Sequence, residues 1–422
     1  MAHPAPVLDE RAWRGLVYQQ TDGLDAHLSG APRTAYCGYD PTAPSLHIGN
    51  LIPTMLLVHL ARHGHKAVAL IGGGTAMIGD PSGKSVERPL LSSEAIDANG
   101  AQIHAQLSGV FARAGASGVT LRNNDVWLRP LGFLEFLRTV GKHFSVNFML
   151  AKDTVASRLE TGISYAEFSY MLTQAYDFLV LYREGVSLQV GGSDQWGNIT
   201  SGTELIRRSD SGEAHALTAP LITTSSGKKF GKTESGAVWL DATLTSPYQF
   251  YQFWVNAEDA DIGRFLRMFT LLPKDEIEAL EASHAAAPHE RRAQKALATA
   301  VTTLIHSAEA ASLAETVSRI IFDKNANPSE FGHNVFEFLR PEIPSVTVTR
   351  AADGTVDVLA ILEGAFAISR GAGKKLLQQN AVSVNGTKLG ADEAMMSADR
   401  AVQGRWLLVR KGGRDIALAE LS

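Results

Sequence analysis

Residues 36–50 read Tyr-Cys-Gly-Tyr-Asp-Pro-Thr-Ala-Pro-Ser-Leu-His-Ile-Gly-Asn, an order that predicts a strand, a loop and the start of a helix. Prolines 41 and 44 interrupt the strand expected over 33–39, and an apolar helical period opens at Leu51. His47 and Gly49 therefore lie at a helix start, where free N–H groups and the positive dipole end favour phosphate. This pattern is typical of a nucleotide site, but for such a tetrad alone a simple helix-start turn is by far the better explanation, so the interpretation depends on the segments that follow.

Composition sets broad limits on the class of protein. The 422 residues are 45% hydrophobic and 20% charged, which is typical of a globular chain of two or three domains. A net charge of −5 gives no overall attraction to nucleic acid or membrane, so a polyanionic partner needs a local basic patch. One cysteine, Cys37, excludes disulfides within the chain. With no apolar leader and no long apolar run, we expect a cytoplasmic protein without a membrane anchor.

Strands and helices alternate along the first half of the chain. Residues 7–31 predict two helical pieces, and the following segments predict helices over 51–63, 94–117 and 130–149 with strands over 66–71 and 119–121. Such alternation is typical of a Rossmann-like, doubly wound parallel sheet in the α/β class.

A glycine-rich segment, residues 72–85, follows the predicted strand 66–71. It is similar to a Walker phosphate loop, but Ile78 stands where the first glycine of that motif is required, so we reject the match. Lys84 and Arg88 are candidate cations or merely solvated side chains. Asp80 lies just past the strand, where open α/β sheets bind ligands.

The predicted helix 165–182 carries three polar residues on one face. Tyr170, Gln174 and Asp177 are spaced i, i+4 and i+7, and most of their neighbours are apolar. We expect this face to be buried, where a polar ligand would supply hydrogen-bond partners. The alternative is that the stripe is the solvent face of the helix.

Two later segments have the composition of ligand loops. Residues 188–198 form a strand that ends in Gly191 and Gly192, where Asp194 suits a ribose diol and Gln189 or Gln195 an ammonium or carboxylate group. A strand-end turn capped by Asp194 is the alternative. Residues 223–233 form a polar, glycine-rich loop with three lysines that is suited to a triphosphate, or is simply a solvated basic loop.

Taken in order, these segments resemble class I aminoacyl-tRNA synthetases, and specifically the bacterial-type tyrosyl-tRNA synthetases. The resemblance rests on residues 36–42, 170–177 and 191–198 together with Lys-Phe-Gly-Lys-Thr at 229–233, and it spans nearly the whole chain. Asn50 replaces the second histidine of the class signature and Phe230-Gly231 replaces Met-Ser, as is normal for the tyrosyl branch. The resemblance therefore implies a tyrosine–tRNA ligase.

The family assigns a role to each matching residue. The phenolic hydroxyl of tyrosine would bind Tyr36 and Asp177, and its α-amino group Asp80, Tyr170 and Gln174. Further residues would line the cleft for tyrosine and ATP: Gly38, Asp40, Gly49, Asn50, Gln189, Gly192, Asp194 and Gln195. The residues expected at the ATP phosphates are Thr42, His47, Lys229, Lys232 and Thr233.

The implied chemistry needs positioning and charge neutralisation but no enzyme nucleophile, because the tyrosine carboxylate attacks the α-phosphorus of ATP. ATP enters as a substrate with Mg²⁺, and we expect no tightly bound cofactor and no resident metal. Transfer RNA specific for tyrosine would then accept the amino acid.

The second half predicts three further regions. After a catalytic domain at 1–245 we expect an α-helical domain at 246–330, a proline-rich linker at 331–351 and an RNA-binding domain at 352–422. The last, a small α+β domain, resembles the alpha-L RNA-binding domain. Nine Lys or Arg residues against four Asp or Glu residues between 369 and 415 make it basic. The predicted RNA-binding residues are Arg370, Lys374, Lys375, Lys388 and Arg410.

Two other functions remain open at this point. A tryptophanyl-type synthetase has the same class motifs, but an indole pocket has no use for both Tyr36 and Asp177. A non-catalytic RNA-binding protein derived from a synthetase is the rival from another class, and intact His47, Asp194 and Lys232 speak against it. The family also implies a homodimer, with the segment 130–149 as a contact surface, and gives no reason to expect DNA as a partner.

Overall fold

A six-stranded sheet forms where the sequence alternates apolar strands with helices. Its strands are β1 (Gln19–Gln20), β2 (Thr34–Tyr39), β3 (Lys66–Ile71), β4 (Val119–Asn123), β5 (Val186–Gly192) and β6 (His215–Ala219). In this computed structural model their order is β1-β6-β5-β2-β3-β4, and all pair in parallel except the short edge strand β1. The predicted doubly wound parallel sheet is confirmed.

The structure describes residues 5–82, 90–156, 158, 162–225, 227, 230–233, 236–323, 326–413 and 415–422. The chain divides into two units, one of Met1–Ser246 with Phe253–Ser307 and the other of Pro247–Gln252 with Ala308–Ser422. Among the described residues, no helix is both long and apolar enough to cross a membrane. Lys84, Arg88 and Lys229 lie outside the described residues.

Helices connect the strands of the first unit. They are α1 (Ala5–Trp13), α2 (Leu24–Gly30), α3 (Leu51–Arg62), α4 (Ser93–Arg113), α5 (Asp125–Leu128), α6 (Phe133–Thr139), α7 (Val146–Leu150), α8 (Asp153–Ala156), α9 (Tyr165–Arg183) and α10 (Trp196–Asp210). Helix α3 is buried along almost its entire length, because its sequence is apolar all round.

The apolar segment 130–149 is not one helix, and that prediction was wrong. It forms α6, a 3₁₀ turn at Gly141–His143 and α7. The hydroxyl of Ser145 accepts a hydrogen bond from the Phe148 N–H and so starts a new helix. Phe133 and Leu134 are exposed rather than packed inside.

The strand order places the ligand crevice. From β2 the chain crosses to β3 on one side, whereas β5 lies on the other side of β2. The order therefore reverses between β2 and β5, and ligands of open α/β sheets bind outside the carboxyl ends of strands at such a point. Asp40 follows β2 and Gly192 ends β5 at this edge.

A helical layer follows the sheet and belongs to the first unit except for residues 247–252 at the start of its first helix. After the short hairpin β7 (Lys232–Thr233) and β8 (Gly236–Ala237) come α11 (Pro247–Val255), α12 (Ile262–Phe269), α13 (Lys274–Ala286) and α14 (Arg292–Ile305). An aromatic cluster forms the core here, with Phe230 stacked on Phe269 at 5.3 Å between ring centroids and packed against Trp254 and Phe265.

The second unit combines helices with a five-stranded sheet. Its helices are α15 (Ala308–Phe322), α16 (His333–Leu339), α17 (Val358–Phe366) and α18 (Arg370–Gln378). Its strands are β9 (Ser345–Val348), β10 (Thr355–Asp357), β11 (Val382–Val384), β12 (Thr387–Lys388), β13 (Met395–Ser397), β14 (Trp406–Lys411) and β15 (Asp415–Leu421). The larger sheet has the order β12-β11-β14-β15-β9, and β10 pairs with β13.

The proline-rich residues 331–351, predicted as a linker, contain helix α16 and strand β9 instead of an extended connection. Phe336 and Leu339 of α16 are buried in a core with Trp406. Strand β9 pairs in parallel with β15. The apolar residues between the prolines determine this structure, because burying them outweighs the turn preference of the prolines themselves.

Candidate active site

Asp177 is the buried centre of one end of the crevice. It lies on α9 with 3% of its surface exposed. Its Oδ1 accepts a hydrogen bond from Trp127 Nε1 at 2.7 Å, and its Oδ2 accepts one from Asn124 Nδ2 at 2.8 Å. Burial raises the pKa of Asp177 to about 7, although both hydrogen bonds act in the opposite direction. The carboxylate is thus a fixed acceptor in a dry environment.

Three residues predicted to bind tyrosine carry buried polar atoms without a hydrogen-bond partner in the described structure: Tyr36 Oη, Gln174 Oε1 and Gln189 Oε1. Tyr36 lies on β2, only 1% exposed, with its ring edge against Phe178 at 5.2 Å between centroids. Burial, and then the charge of Asp177, raises the pKa of the Tyr36 phenol well above its usual value. Buried polar groups are rarely left unpaired, and a polar ligand at this end of the crevice would supply partners for these three atoms together.

A chain of hydrogen bonds joins Asp177 to Asp40 at the end of β2. Asn124 Nδ2 also donates to Thr75 Oγ1 at 3.1 Å, and Thr75 Oγ1 donates to Asp40 Oδ1 at 2.7 Å. The other oxygen of Asp40 accepts from the Tyr170 hydroxyl at 2.8 Å. Gly72 permits this approach, because a Cβ there would lie 2.0 Å from Asp40 Oδ1. Tyr170 is therefore buried, and the solvent-face interpretation of its helix was wrong.

Asp80 forms a second polar cluster with the start of α10. Its Oδ2 accepts from Gln195 Nε2 at 2.7 Å, and its Oδ1 accepts from the Ser82 N–H at 2.9 Å. Buried Asn198 donates to Ser82 Oγ at 3.2 Å and lies 3.4 Å from Asp80 Oδ1. The structure thus brings together Asp80 and Gln195, both predicted site residues.

His47 lies at the other end of the crevice and is exposed. It precedes a 3₁₀ turn at Ile48–Asn50 that leads into α3. Its Nδ1 accepts from the Gly49 N–H at 3.1 Å, and Asn50 Oδ1 accepts from the His47 N–H at 3.0 Å. With Nδ1 accepting, a neutral His47 ring carries its proton on Nε2. Gly49 is needed for this arrangement, because a Cβ there would lie 2.9 Å from His47 Cε1.

The carboxyl ends of β2 and β5 provide close backbone approach. Gly38 is exposed, and a Cβ placed on it would meet nothing within 4 Å, so a ligand has room there. At Gly192 a Cβ would lie 2.6 Å from Asp194 Oδ1. Asp194 itself lies in the 3₁₀ turn that starts α10. Thr42 donates its backbone N–H to the Asp40 carbonyl at 2.8 Å and is half-buried beside this edge.

The base of the lysine loop is attached to the His47 turn. The Val238 N–H donates to the Gly231 carbonyl at 3.0 Å, and the Ile48 N–H donates to the Val238 carbonyl at 3.1 Å. Gly231 has a φ of 79° and lies so close to Ile48 that a Cβ would come within 2.9 Å of Ile48 Cγ1. The backbones of Lys232 and Thr233 form β7, while their side chains, like the whole of Lys229, lie outside the described structure.

The predicted RNA-binding residues lie in the second unit and differ in their contacts. Lys374 and Lys375 on α18 and Lys388 on β12 are exposed, and Arg370 pairs with Asp357 at 2.8 Å. Arg410 donates to the carbonyls of residues 320, 321 and 323 at the end of α15. Because these bonds give Arg410 a structural role, we remove it from the RNA-binding set.

Sequence reasoning missed four residues that complete the site: Thr75, Asn124, Trp127 and Asn198. The signal for Asn124 was present, since it follows strand β4 just as Asp80 follows the β3 end of the sheet. Trp127 had no comparable signal, because an indole in a short helix is far more often a core residue.

Two family models match the chain. Residues 29–323 match the model described as tRNA synthetases class I (W and Y). Residues 336–419 match the model of the tyrosine–tRNA ligase SYY-like C-terminal domain. The first match covers strands β2 to β6 and the helical layer, and the second lies in the second unit.

Individual relatives agree with these matches. The chain is 48% identical to the tyrosine–tRNA ligase of Anaeromyxobacter dehalogenans over 418 residues, which cover 98% of this chain and 99% of that protein. It is 47% identical to the ligase of Cytophaga hutchinsonii over 420 residues, covering 97% and 98%. A C-terminally truncated Aspergillus nidulans mitochondrial tyrosyl-tRNA synthetase has a similar structure, with a TM-score of 0.69 and 33% identity over 75% of this chain and 94% of that one.

Proposed function

Because the chain belongs to the class I tRNA synthetases of the W and Y type, we propose that it forms tyrosyl adenylate in the crevice at the carboxyl ends of β2 and β5. Its activity is that of a tyrosine–tRNA ligase. Within this activity, the unpaired Tyr36 hydroxyl beside the buried Asp177 carboxylate carries our assignment of the amino-acid end of the site.

The amino-acid end is proposed to bind the phenol of tyrosine. The substrate hydroxyl donates to Asp177, whose two other hydrogen bonds come from Asn124 and Trp127, and accepts from Tyr36. Phenylalanine would leave the buried Tyr36 hydroxyl unpaired, which costs about 1–3 kcal/mol, and would deprive Asp177 of its third hydrogen bond. We assign Asp80, Tyr170 and Gln174 to the α-amino group.

At the phosphate end, the bound carboxylate of tyrosine attacks the α-phosphorus of ATP and pyrophosphate leaves. No enzyme nucleophile is involved, so the protein contributes position and positive charge. We propose that His47 Nε2 donates to a phosphate oxygen, with Thr42 beside it. The loop residues Lys229, Lys232 and Thr233 then close over pyrophosphate, and Asp194 holds the ribose. Mg²⁺ accompanies the ATP phosphates, as is usual for this ion.

Transfer RNA is proposed to bind to residues of both units. As functional regions we assign residues 1–245 to adenylation, 246–330 to the anticodon side and 352–422 to RNA binding. The exposed cations Lys374, Lys375 and Lys388 would neutralise RNA phosphates, which makes affinity fall as salt rises. The cytoplasm, where tRNA is charged, is the proposed location.

A second copy of the chain is proposed to cover an exposed apolar patch on α5, α6 and α7. Val126, Phe133, Leu134 and Val146 are between 61% and 78% exposed there. Patches of this kind mark interfaces in soluble proteins. Sedimentation velocity should report a dimer that Leu134→Asp dissociates. The equally conspicuous Phe322, which is 68% exposed on α15, serves as the control in Phe322→Asp. A parent chain that sediments as a monomer at micromolar concentration contradicts the dimer.

The decisive experiment is exchange of labelled pyrophosphate into ATP with tyrosine, phenylalanine or tryptophan, followed by aminoacylation of transfer RNA. We expect exchange with tyrosine alone and transfer to tyrosine-specific tRNA. Exchange that depends on tryptophan would refute the substrate assignment. Folded protein without exchange for any amino acid would favour the non-catalytic RNA-binding alternative.

A further inference from the structure

Helix α4 forms hydrogen bonds with the segment that precedes His47. The Leu46 N–H donates to Gln106 Oε1 at 3.0 Å, and Ser45 Oγ lies 3.4 Å from the same oxygen. Leu46 and Ser45 are only 4% exposed, so this amide has no water to replace Gln106. One side-chain oxygen on α4 therefore fixes the backbone immediately before the proposed phosphate ligand.

The segment 238–241 holds the opposite side of the same residues. The Leu240 N–H donates to the Leu46 carbonyl at 2.8 Å, and the Asp241 N–H donates to Ser45 Oγ at 3.1 Å. The Ile48 N–H is bound by the Val238 carbonyl, as described above. Residues 45–48 are thus held between helix α4 and residues 238–241. Among the described side chains of α4, only Gln106 forms a hydrogen bond with residues 45–48.

Helix α4 is itself fixed at both ends. Near its start, Asn99 Nδ2 donates to the Pro41 carbonyl at 3.1 Å. At its end, Arg113 Nε donates to the Leu304 carbonyl at 2.7 Å, which closes the last turn of α14. Ile103 and Leu107, on either side of Gln106, are 1% exposed. The helix is consequently a rigid reference against which the loop 41–47 is placed.

We propose that Gln106 is a positioning residue for ATP, acting through both Leu46 and Ser45 on the direction of the His47 imidazole. The inference rests on the proposed function, in which His47 meets a phosphate. An error of about 1 Å in such a group is enough to cost a large part of the rate. Tyr36 lies on β2 and Asp177 lies on α9, so we expect tyrosine binding not to depend on Gln106.

Gln106→Met tests this proposal, since methionine has nearly the same length but cannot accept the Leu46 N–H. Gln102→Met is the matched control, because Gln102 lies one turn earlier on the same helix and is exposed. We expect kcat/KM for ATP in pyrophosphate exchange to fall about tenfold in Gln106→Met. The dissociation constant for tyrosine without ATP should stay within about twofold, and Gln102→Met should match the parent in both.

Ser45→Ala is the second variant and decides the matter if Gln106→Met does not fold. It removes the hydroxyl that links Gln106 to the Asp241 N–H, while the Leu46 N–H keeps its partner. We therefore expect kcat/KM for ATP to fall about threefold, with no change in tyrosine affinity. Unchanged ATP kinetics in the folded variants overturn the proposal, as does an equal loss of tyrosine affinity. A parent chain without exchange activity contradicts the proposed function instead, which separates the two failures.

Discussion

The two ends of the crevice are built in opposite ways. At the amino-acid end, Tyr36 and Asp177 are almost completely buried, and Asp177 is held by side chains from two other elements. At the phosphate end His47 is exposed, and its ring accepts a hydrogen bond from the backbone of its own turn. Under the proposed function, the choice of amino acid therefore depends on dry, prearranged hydrogen bonds, whereas the phosphates of ATP meet a solvated side chain.

The largest effect expected from this contrast is that of Asp177→Ala. It removes the charged acceptor of the substrate phenol. Only this lost bond to the substrate enters kcat/KM, and a hydrogen bond to a charged group contributes about 1.5–3 kcal/mol, so kcat/KM for tyrosine should fall roughly 10- to 150-fold. For phenylalanine, which has no hydroxyl, kcat/KM in the same pyrophosphate exchange assay should fall far less.

Asp210→Ala is the control for that variant, because Asp210 is a paired carboxylate on the surface end of α10. It should leave kcat/KM for both tyrosine and phenylalanine unchanged. Equal losses for tyrosine and phenylalanine in Asp177→Ala would mean that Asp177 supports the fold rather than the choice of substrate.

Trp127→Phe sharpens the comparison by removing one N–H and little volume. The lost hydrogen bond is present with and without substrate and affects tyrosine only through the way it holds Asp177, so kcat/KM for tyrosine should fall by only about 5- to 20-fold. The ATP KM should not change, because the indole serves only the amino-acid end. Trp13→Phe, which removes an indole N–H on the remote helix α1, is the control and should leave both kinetic parameters unchanged. A change in the ATP KM as large as the change in kcat/KM for tyrosine would contradict the division into two ends.

The pH dependence of tyrosine binding tests the same carboxylate without substitution. Below the pKa of about 7, free Asp177 is protonated, so binding a phenol to its ionised form must first release that proton. Tyrosine affinity should therefore be level above pH 7 and fall below it, by up to about tenfold per pH unit. Equilibrium titration between pH 5.5 and 8.5 measures this. A flat curve for the parent, or the same curve in Asp177→Asn, would assign the titration to another group.

The smallest effect is expected for Gly49→Ala at the phosphate end. The new Cβ would lie 2.9 Å from His47 Cε1, so the flexible imidazole must turn away. We expect the ATP KM to rise about three- to tenfold at unchanged tyrosine affinity, since one neutral hydrogen bond is lost. Gly132→Ala, where a Cβ meets nothing within 4 Å, is the control in the same kinetic assay.

The sequence predicted most of the sheet and the inward stripe of α9, because strand patterning and the i, i+4, i+7 spacing are local properties. It did not predict the broken segment 130–149, since an apolar period is the same whether a partner covers it or not. Asn124 carried a signal in its place after β4, but its contact with Asp177, like that of Trp127, depends on tertiary packing and is not visible in the sequence. Burial of the residues between the prolines, a tertiary effect, likewise decided the structure of 331–351.

Helix α11 crosses the boundary between the two units, which has a consequence for synthesis on the ribosome. Residues 247–252 belong to the second unit, where Tyr248 is buried with Val317 and Trp406, yet they are made before residues 253–307 of the first unit. Domains usually fold in the order in which they are translated. Here Tyr248 must wait for its partners until the first unit is complete, so truncation at either 246 or 308 removes part of a core.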